Sequence, residues 1–300
     1  MHPFVQNVKQ TIDTYQLLGS EDKVIVAVSG GKDSTAILSI LKELGYHVEA
    51  LTIDVIIGKY TKQNLENIRK FCASIHVKLH EVSFKTEFGY SLCYLKALLY
   101  AKGVRLKSCS ICGVLRRYLI NRHARLLGAT KLVTGHNRDD EVQGILMNFL
   151  RGQPAQSAKL GIVSASSDPT FVTRVKPLYF CGEEEITQYC KDMQFPVEYG
   201  RCPCSIVSYR NSMRELLDTL AMEIPNVRAN ILTSFLAMQS QIKSHYLPTA
   251  KTLQHCQYCG EASTGNLCKP CSLIDLLREE SQTAPQNEGV QGPQVTISIA

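Results

Sequence analysis

The chain is expected to fold as a doubly wound parallel α/β sheet followed by a helical segment and a cysteine-rich metal module. Three observations predict this. β-branched runs alternate with helix-spaced apolar residues over the first half, a glycine pair directly follows the first of those runs, and two CxxC pairs stand close together near the end.

Strands are expected at 24–28, 48–53, 77–82 and 131–134. Between them, Ile37, Leu38, Ile40 and Leu41 mark one helix and residues 62–75 another. A helix after Asp140 should place Val142, Ile145, Leu146, Phe149 and Leu150 on one apolar face against the sheet. Residues 172–178 can add a fifth strand, and the polar run 151–169 reads as a surface loop. Helical spacing returns at 183–193 and again at 212–242, interrupted by Pro225. The expected division is 1–180 for a nucleotide domain, 181–250 for a helical RNA-binding segment, 251–278 for a zinc ribbon and 279–300 for a disordered tail.

The composition is that of an ordinary globular chain: 300 residues, 44% apolar and 20% charged, with no apolar run near the ~18 residues of a membrane span. The first residues lack the apolar stretch of a secretory signal, so a cytoplasmic protein with no membrane partner is expected. In that compartment twelve cysteines point to metal chemistry rather than disulfides. Eight fall in pairs, Cys109/Cys112, Cys202/Cys204, Cys256/Cys259 and Cys268/Cys271, while Cys72, Cys93, Cys181 and Cys190 read as small core residues. Charge is uneven too. Residues 88–138 contain no Asp or Glu and carry a formal +10 against +6 for the whole chain, which predicts a polyanionic partner.

Directly after the first strand comes Ser29-Gly30-Gly31-Lys32-Asp33-Ser34, and then a helix. Adjacent glycines let backbone N–H groups close on a phosphate while the helix N-terminus adds partial positive charge, so the loop suits a pyrophosphate. It resembles the SGGxDS loop of the PP-loop ATP pyrophosphatases, an adenine nucleotide alpha hydrolase-like fold. That resemblance implies ATP, AMP-activated intermediates and pyrophosphate release. Asp54 closes the second strand, and Gly135-His136-Asn137-Arg138-Asp139-Asp140 closes the fourth, where open α/β sheets bind ligands. The acidic pair there can hold Mg²⁺, orient the base or cap the following helix.

Cys109 and Cys112 lie within the acid-free stretch, whose cations are expected to lower their thiol pKa values. Two thiolates need further ligands, and Cys202 is the candidate, with Cys204 as the alternative. CSICGVLRRYLIN and TGHNRDDEVQGILMNFLRG resemble the CxxCGxxRR and TGHNxDDxxxxxxxNxLRG segments of the tRNA 2-thiouridine synthetases, a family that includes TtuA and the cytosolic thiouridylase subunit 1 proteins. The resemblance covers residues 4–277. It implies ATP, Mg²⁺, a [4Fe-4S] cluster on Cys109, Cys112 and Cys202, and a catalytic Asp140. It also implies a ubiquitin-like sulfur carrier ending in a thiocarboxylate, and a homodimer or a second thiolase subunit. Arg116 stands where TtuA proteins have Lys and matches the wobble-uridine branch. That family begins with a zinc finger, and this chain begins at the helix after it. The finger is therefore either cut off or lost, with His2 a candidate remnant.

Cys256, Cys259, Cys268 and Cys271 form two CxxC knuckles able to hold one tetrahedral Zn²⁺, as an RNA-docking finger or as a structural staple. The expected reaction adenylates the C2 carbonyl of a tRNA uridine and replaces its oxygen with sulfur. Rival readings are a TtcA-like 2-thiocytidine synthetase and a silent tRNA-binding zinc scaffold. A closed four-Cys zinc site on Cys109, Cys112, Cys202 and Cys204 is the inert alternative to the cluster.

Overall fold

The computed structural model describes residues 1–164, 168–206, 208–247 and 253–278. Helix α1 (Pro3–Thr14) leads into β1 (Val24–Ala27), α2 (Lys32–Glu43), β2 (Val48–Asp54), α3 (Gly58–Ser74) and β3 (Leu79–Ser83). Three helices follow, α4 (Phe84–Phe88), α5 (Leu92–Ala101) and α6 (Ser108–Leu126), before β4 (Lys131–Thr134) and α7 (Arg138–Leu150). The remainder comprises α8 (Pro154–Ser157), β5 (Val163–Ser164), β6 (Thr173–Val175), α9 (Glu183–Asp192), α10 (Tyr209–Glu223), α11 (Val227–Tyr246), a hairpin of β7 (Gln254–His255) and β8 (Ala262–Ser263), and α12 (Lys269–Arg278).

The six-stranded sheet runs β3-β2-β1-β4-β6-β5. All neighbours are parallel except β5, which pairs antiparallel with β6 at the edge. Strand order reverses between β1 and β4, so the loops leaving their C-terminal ends open into a common crevice. Alternation along β1 explains why both faces are covered. Val24 and Val26 enter one cluster with Val8 of α1, Ile37 and Leu41 of α2 and Phe71 of α3, whereas Ile25 enters the opposite cluster with Leu95 of α5 and Leu115 and Leu119 of α6. Pro177, which has no N–H to donate, lies just past β6 and limits the fifth strand to three residues of the expected seven.

Other expectations need correction. The apolar face of α7 packs on α10 and α11 rather than on the sheet: Val142 and Ile145 join Tyr179, Leu217, Leu232 and Phe235 in a third cluster. Phe149 is 79% and Leu150 55% exposed, because the covering helices do not extend to the last turn. The stretch 151–169 is not loop throughout, since α8 and β5 fall within it, and Cys93 is exposed whereas Cys72, Cys181 and Cys190 are buried. His2 serves as the N-cap of α1, its Nδ1 accepting from the Phe4 N–H at 3.1 Å. The expected tail lies outside the described residues. Among the described residues no helix is long and apolar enough to cross a membrane.

These positions separate in stability. Ile145→Ala is expected to cost about 2–5 kcal/mol in denaturant unfolding, and Phe149→Ala less than about 0.5.

Candidate active site

Two glycines shape the crevice. Gly30 has φ +80°, and a Cβ there would stand 2.4 Å from the Asn64 carbonyl oxygen of α3. Gly135, after β4, lies so close to the first loop that a Cβ would be 2.8 Å from both Asp33 C and Ser34 N. Ser34 braces the loop from within: its Oγ accepts from Ser29 N and donates to the Gly31 carbonyl, each at 3.1 Å. Gly31 is the N-cap of the twelve-residue α2 and makes no side-chain cap, which leaves the helix N-terminus to an anion.

A cavity of about 490 Å³ opens over this loop. One wall carries Ser29, Asp33, Ser34, Asp54, His136 and Asp140, and the other carries Cys109, Cys112, Arg116, Cys202 and Cys204. Residues nearly a hundred positions apart therefore share one wall, and the Cys109 thiol donates to the Cys204 carbonyl at 3.2 Å. Lys32 is the member of the loop that the structure turns away. Its ammonium, with the side chain 14% exposed, sits 2.9 Å from Glu183 and 3.1 Å from Asp33, outside the cavity lining. Asp54 Oδ1 accepts from Ile56 N at 2.8 Å, which fixes the turn leaving β2.

The acidic pair divides its work. Asn137 caps α7, accepting from Asp140 N at 3.1 Å and donating through Nδ2 to Asp33 at 2.9 Å. Asp140 faces the cavity; burial, with the nearby Asp140 charge adding to it, raises the Asp33 carboxyl above its usual range against the pull of Lys32. Asp139 turns the other way. It accepts from Glu183 N at 2.9 Å and pairs with Arg228 at 2.8 Å, so it ties the first turns of α7 and α9 to α11. Asn137 and Asp139 lie inside a motif visible in the sequence, but only tertiary contacts separate their roles.

His136 borders the cavity, with Nδ1 2.9 Å from the Thr134 hydroxyl. The ring is open to the cavity while protein surrounds it on its other sides. This burial, aided by Lys176, Arg174 and Arg210 and opposed by Asp140, pushes it down to about 4. The thiols contradict the expected lowering. Cys109, Cys112 and Cys202 are all raised, because burial comes first and neighbouring thiols add to it, and the Arg116 cation offsets only part.

The C-terminal quartet is tighter. Among the described residues only Cys256, Cys259, Cys268 and Cys271 bring three or more potential ligand atoms within 4.8 Å of one another. A single ion at ~2.3 Å from four thiolates holds their sulfurs about 3.8 Å apart, so the quartet fits one ion. Among Cys109, Cys112, Cys202 and Cys204 no three bring their sulfurs within 4.8 Å of one another, and all four line the cavity. The module rests on α6: buried Glu261 accepts from Asn121 Nδ2 at 3.3 Å and pairs with Arg125, and Leu273 of α12 joins the α5–α6 cluster.

A family model described as a PP-loop domain matches residues 2–219. A tRNA-5-methyluridine(54) 2-sulfurtransferase from Pyrococcus horikoshii is 31% identical over 92% of this chain and 86% of its own length. A cytoplasmic tRNA 2-thiolation protein 1 from Aspergillus niger is 33% identical over 96% and 84%. The chain belongs to the PP-loop family of tRNA 2-thiolation proteins. Its fold is similar to a solved PP-loop protein, the U34-tRNA thiolase NcsA from Methanococcus maripaludis with its [4Fe-4S] cluster, at TM-score 0.75 and 26% identity over 91% of this chain and 88% of that one.

In this PP-loop chain, Gly135→Ala is expected to weaken ATP binding at least about tenfold by calorimetry, since backbone on both loops must shift to admit the methyl. The lowered His136 pKa predicts a second result. The unfolded ring takes up its proton near pH 6.5 and the folded ring near 4, so His136 contributes stability that is present above pH 6.5 and lost as pH falls toward 4, a contribution kept small by the solvent that the exposed ring meets in the cavity. Urea unfolding across that window should show a shallower acid loss in His136→Gln than in the parent protein.

Proposed function

We propose that the protein uses ATP to activate the C2 carbonyl of a tRNA uridine, at the wobble position, and replaces that oxygen with sulfur. The observation that carries this reading is the single cavity that presents the PP-loop on one wall and Cys109, Cys112 and Cys202 on the other. Nucleotide and sulfur chemistry then act on one base without its leaving the site.

In the first step the uridine O2 bonds to the α-phosphorus of ATP and the bond to the β-phosphate breaks, releasing pyrophosphate. The amides of loop 29–34 and the α2 N-terminus hold that leaving group, and Asp33 and Asp140 supply carboxylates for Mg²⁺ alongside the phosphates. Asn137 donates to both carboxylates, through Nδ2 to Asp33 and through its backbone N–H to Asp140, and His136, neutral at pH 7, offers a hydrogen bond without adding charge. Adenylation matters because an oxygen leaves poorly and AMP leaves well. In the second step sulfur bonds to C2, the C2–O bond breaks, and AMP departs with both electrons. Arg116, whose Nε is buried with no partner, faces the charge that develops there.

Cys109, Cys112 and Cys202 would hold a [4Fe-4S] cluster, with Cys204 on the same wall as the alternative third ligand. Bound by three protein thiolates, such a cluster keeps one iron position for an exogenous sulfur atom. Zn²⁺ on the C-terminal quartet would fix the module against α6. A ubiquitin-like carrier ending in a thiocarboxylate supplies the sulfur, in the cytoplasm, to a homodimer or a complex with a second thiolase subunit. The wobble assignment rests on the Arg116-Arg117 pair and on the similarity to a U34-tRNA thiolase.

The test is mass spectrometry of tRNA nucleosides, mapped to position, from a strain lacking the gene. Wobble 2-thiouridine should disappear, return with the parent gene, and stay below about 1% of the parent level with Cys109→Ala or Asp140→Asn, a loss of the size expected when an essential catalytic group is removed. An unchanged thionucleoside profile in the deletion strain would overturn the proposal.

A further inference from the structure

Several cations that the sequence offers to RNA are committed inside the protein. Arg125 pairs with Glu261, Arg214 with Glu183, and Arg228 with Asp139 and Asp218. Three others lie along the route from the cavity to the far end of α7. Arg117 of α6 lies over Gly113, a cavity-lining residue, and has no carboxylate partner among the described residues. Arg210, second residue of α10, is also compensated: it pairs with the Asp140 carboxylate at 3.4 Å and reaches the Asp140 carbonyl at 3.1 Å and Gln143 at 3.3 Å. Its neighbour Tyr209 carries the exposed Arg151 guanidinium over its ring, 4.1 Å from the centroid.

Arg151 pairs with no carboxylate among the described residues, so the guanidinium has one flat face on Tyr209 and the other open to solvent. A planar cation left half-covered next to a reaction cavity is suited to a base on its free face and a phosphate at its edge. Position agrees with this. Arg151 follows the last residue of α7, and Asp140 in the first turn of that helix faces the cavity, so the eleven-residue step from one to the other sets the stack roughly 16 Å along the helix from the cavity wall, the reach of a few unpaired nucleotides. A protein partner is the poorer fit, because the groups aligned here are uncompensated cations.

We propose that the Arg151–Tyr209 stack is a binding site for an unpaired RNA base flanking the uridine in the cavity, with Arg117 and Arg151 taking the adjoining phosphodiesters. This rests on the reading of the protein as a tRNA-modifying enzyme and adds the form of its substrate: a single strand laid outward from the cavity, not a duplex.

The chain has no tryptophan, so an RNA stem-loop with 2-aminopurine a few unpaired nucleotides from the target uridine can be followed by fluorescence without protein background. The full-length protein should bind it with a fluorescence change. Arg151→Ala should bind about tenfold more weakly, lose that change, and lower the slope of log K against log salt by ~0.7, the value for one single-strand phosphate contact. Arg151→Lys should restore the slope but not the fluorescence change, because an ammonium keeps charge without a flat face. Tyr209→Phe should keep both, which also shows that α10 is folded. Unchanged affinity, slope and fluorescence in Arg151→Ala would overturn the stacking site and leave the proposed function standing. Failure of the parent protein to bind the stem-loop would overturn both.

Discussion

The close approach of Gly135 to the backbone of Asp33 and Ser34 is the contact on which the rest of the site depends. β1 and β4 are neighbours in the sheet, so the loops at their C-terminal ends must pass each other, and they do so with no room for a methyl group. That approach brings Asn137 within bonding distance of Asp33, and it sets Asp140 and His136 on the same wall as the loop that takes phosphate. Gly30 repeats the constraint on the other side against α3. Hydrogen bonds within each loop stiffen it, but strand order and the absence of two Cβ atoms decide that the loops meet.

Helix α6 plays the corresponding part for the opposite wall. Cys109 and Cys112 lie in its first turns, Arg116 and Arg117 in the middle, and Asn121 and Arg125 at the end that supports the C-terminal module. A rigid rod of nineteen residues thus joins the cavity cysteines to the tetrahedral cysteine site. Leu115 and Leu119, buried against the sheet, prevent it from rotating. The C-terminal module at the far end therefore braces the helix that carries the cavity thiols without touching the cavity.

Charge is arranged by pairing. Arginines on α10 and α11 that look available in sequence instead clamp those helices to the first turns of α7 and α9 through Asp139 and Glu183. The same clamp engages Lys32 through Glu183, which leaves the loop's amides and the α2 N-terminus as its groups free to meet an anion. Arg117 over Gly113 and Arg151 over Tyr209 have no carboxylate partner among the described residues.

Local sequence was sufficient for the four strands β1 to β4, for the glycine loop and for both CxxC pairings, because a period of two, a period of 3.6 and a fixed ligand spacing are all properties of contiguous residues. It misjudged Phe149 and Leu150, whose periodicity is that of a buried face but which lie beyond the end of the helices that cover α7. It also misjudged the thiol pKa values: charges adjacent in the chain suggested lowering, while burial and thiols from a distant segment raise them. The separate tasks of Asp139 and Asp140 were likewise hidden, since adjacent residues at a helix start point different ways and only the packing of α9 and α11 sets what each one meets. By itself the sequence determined which groups the protein has and how they are spaced along each element. Tertiary structure alone decided which of them share a cavity, because strand order and helix packing bring together residues that no local pattern connects.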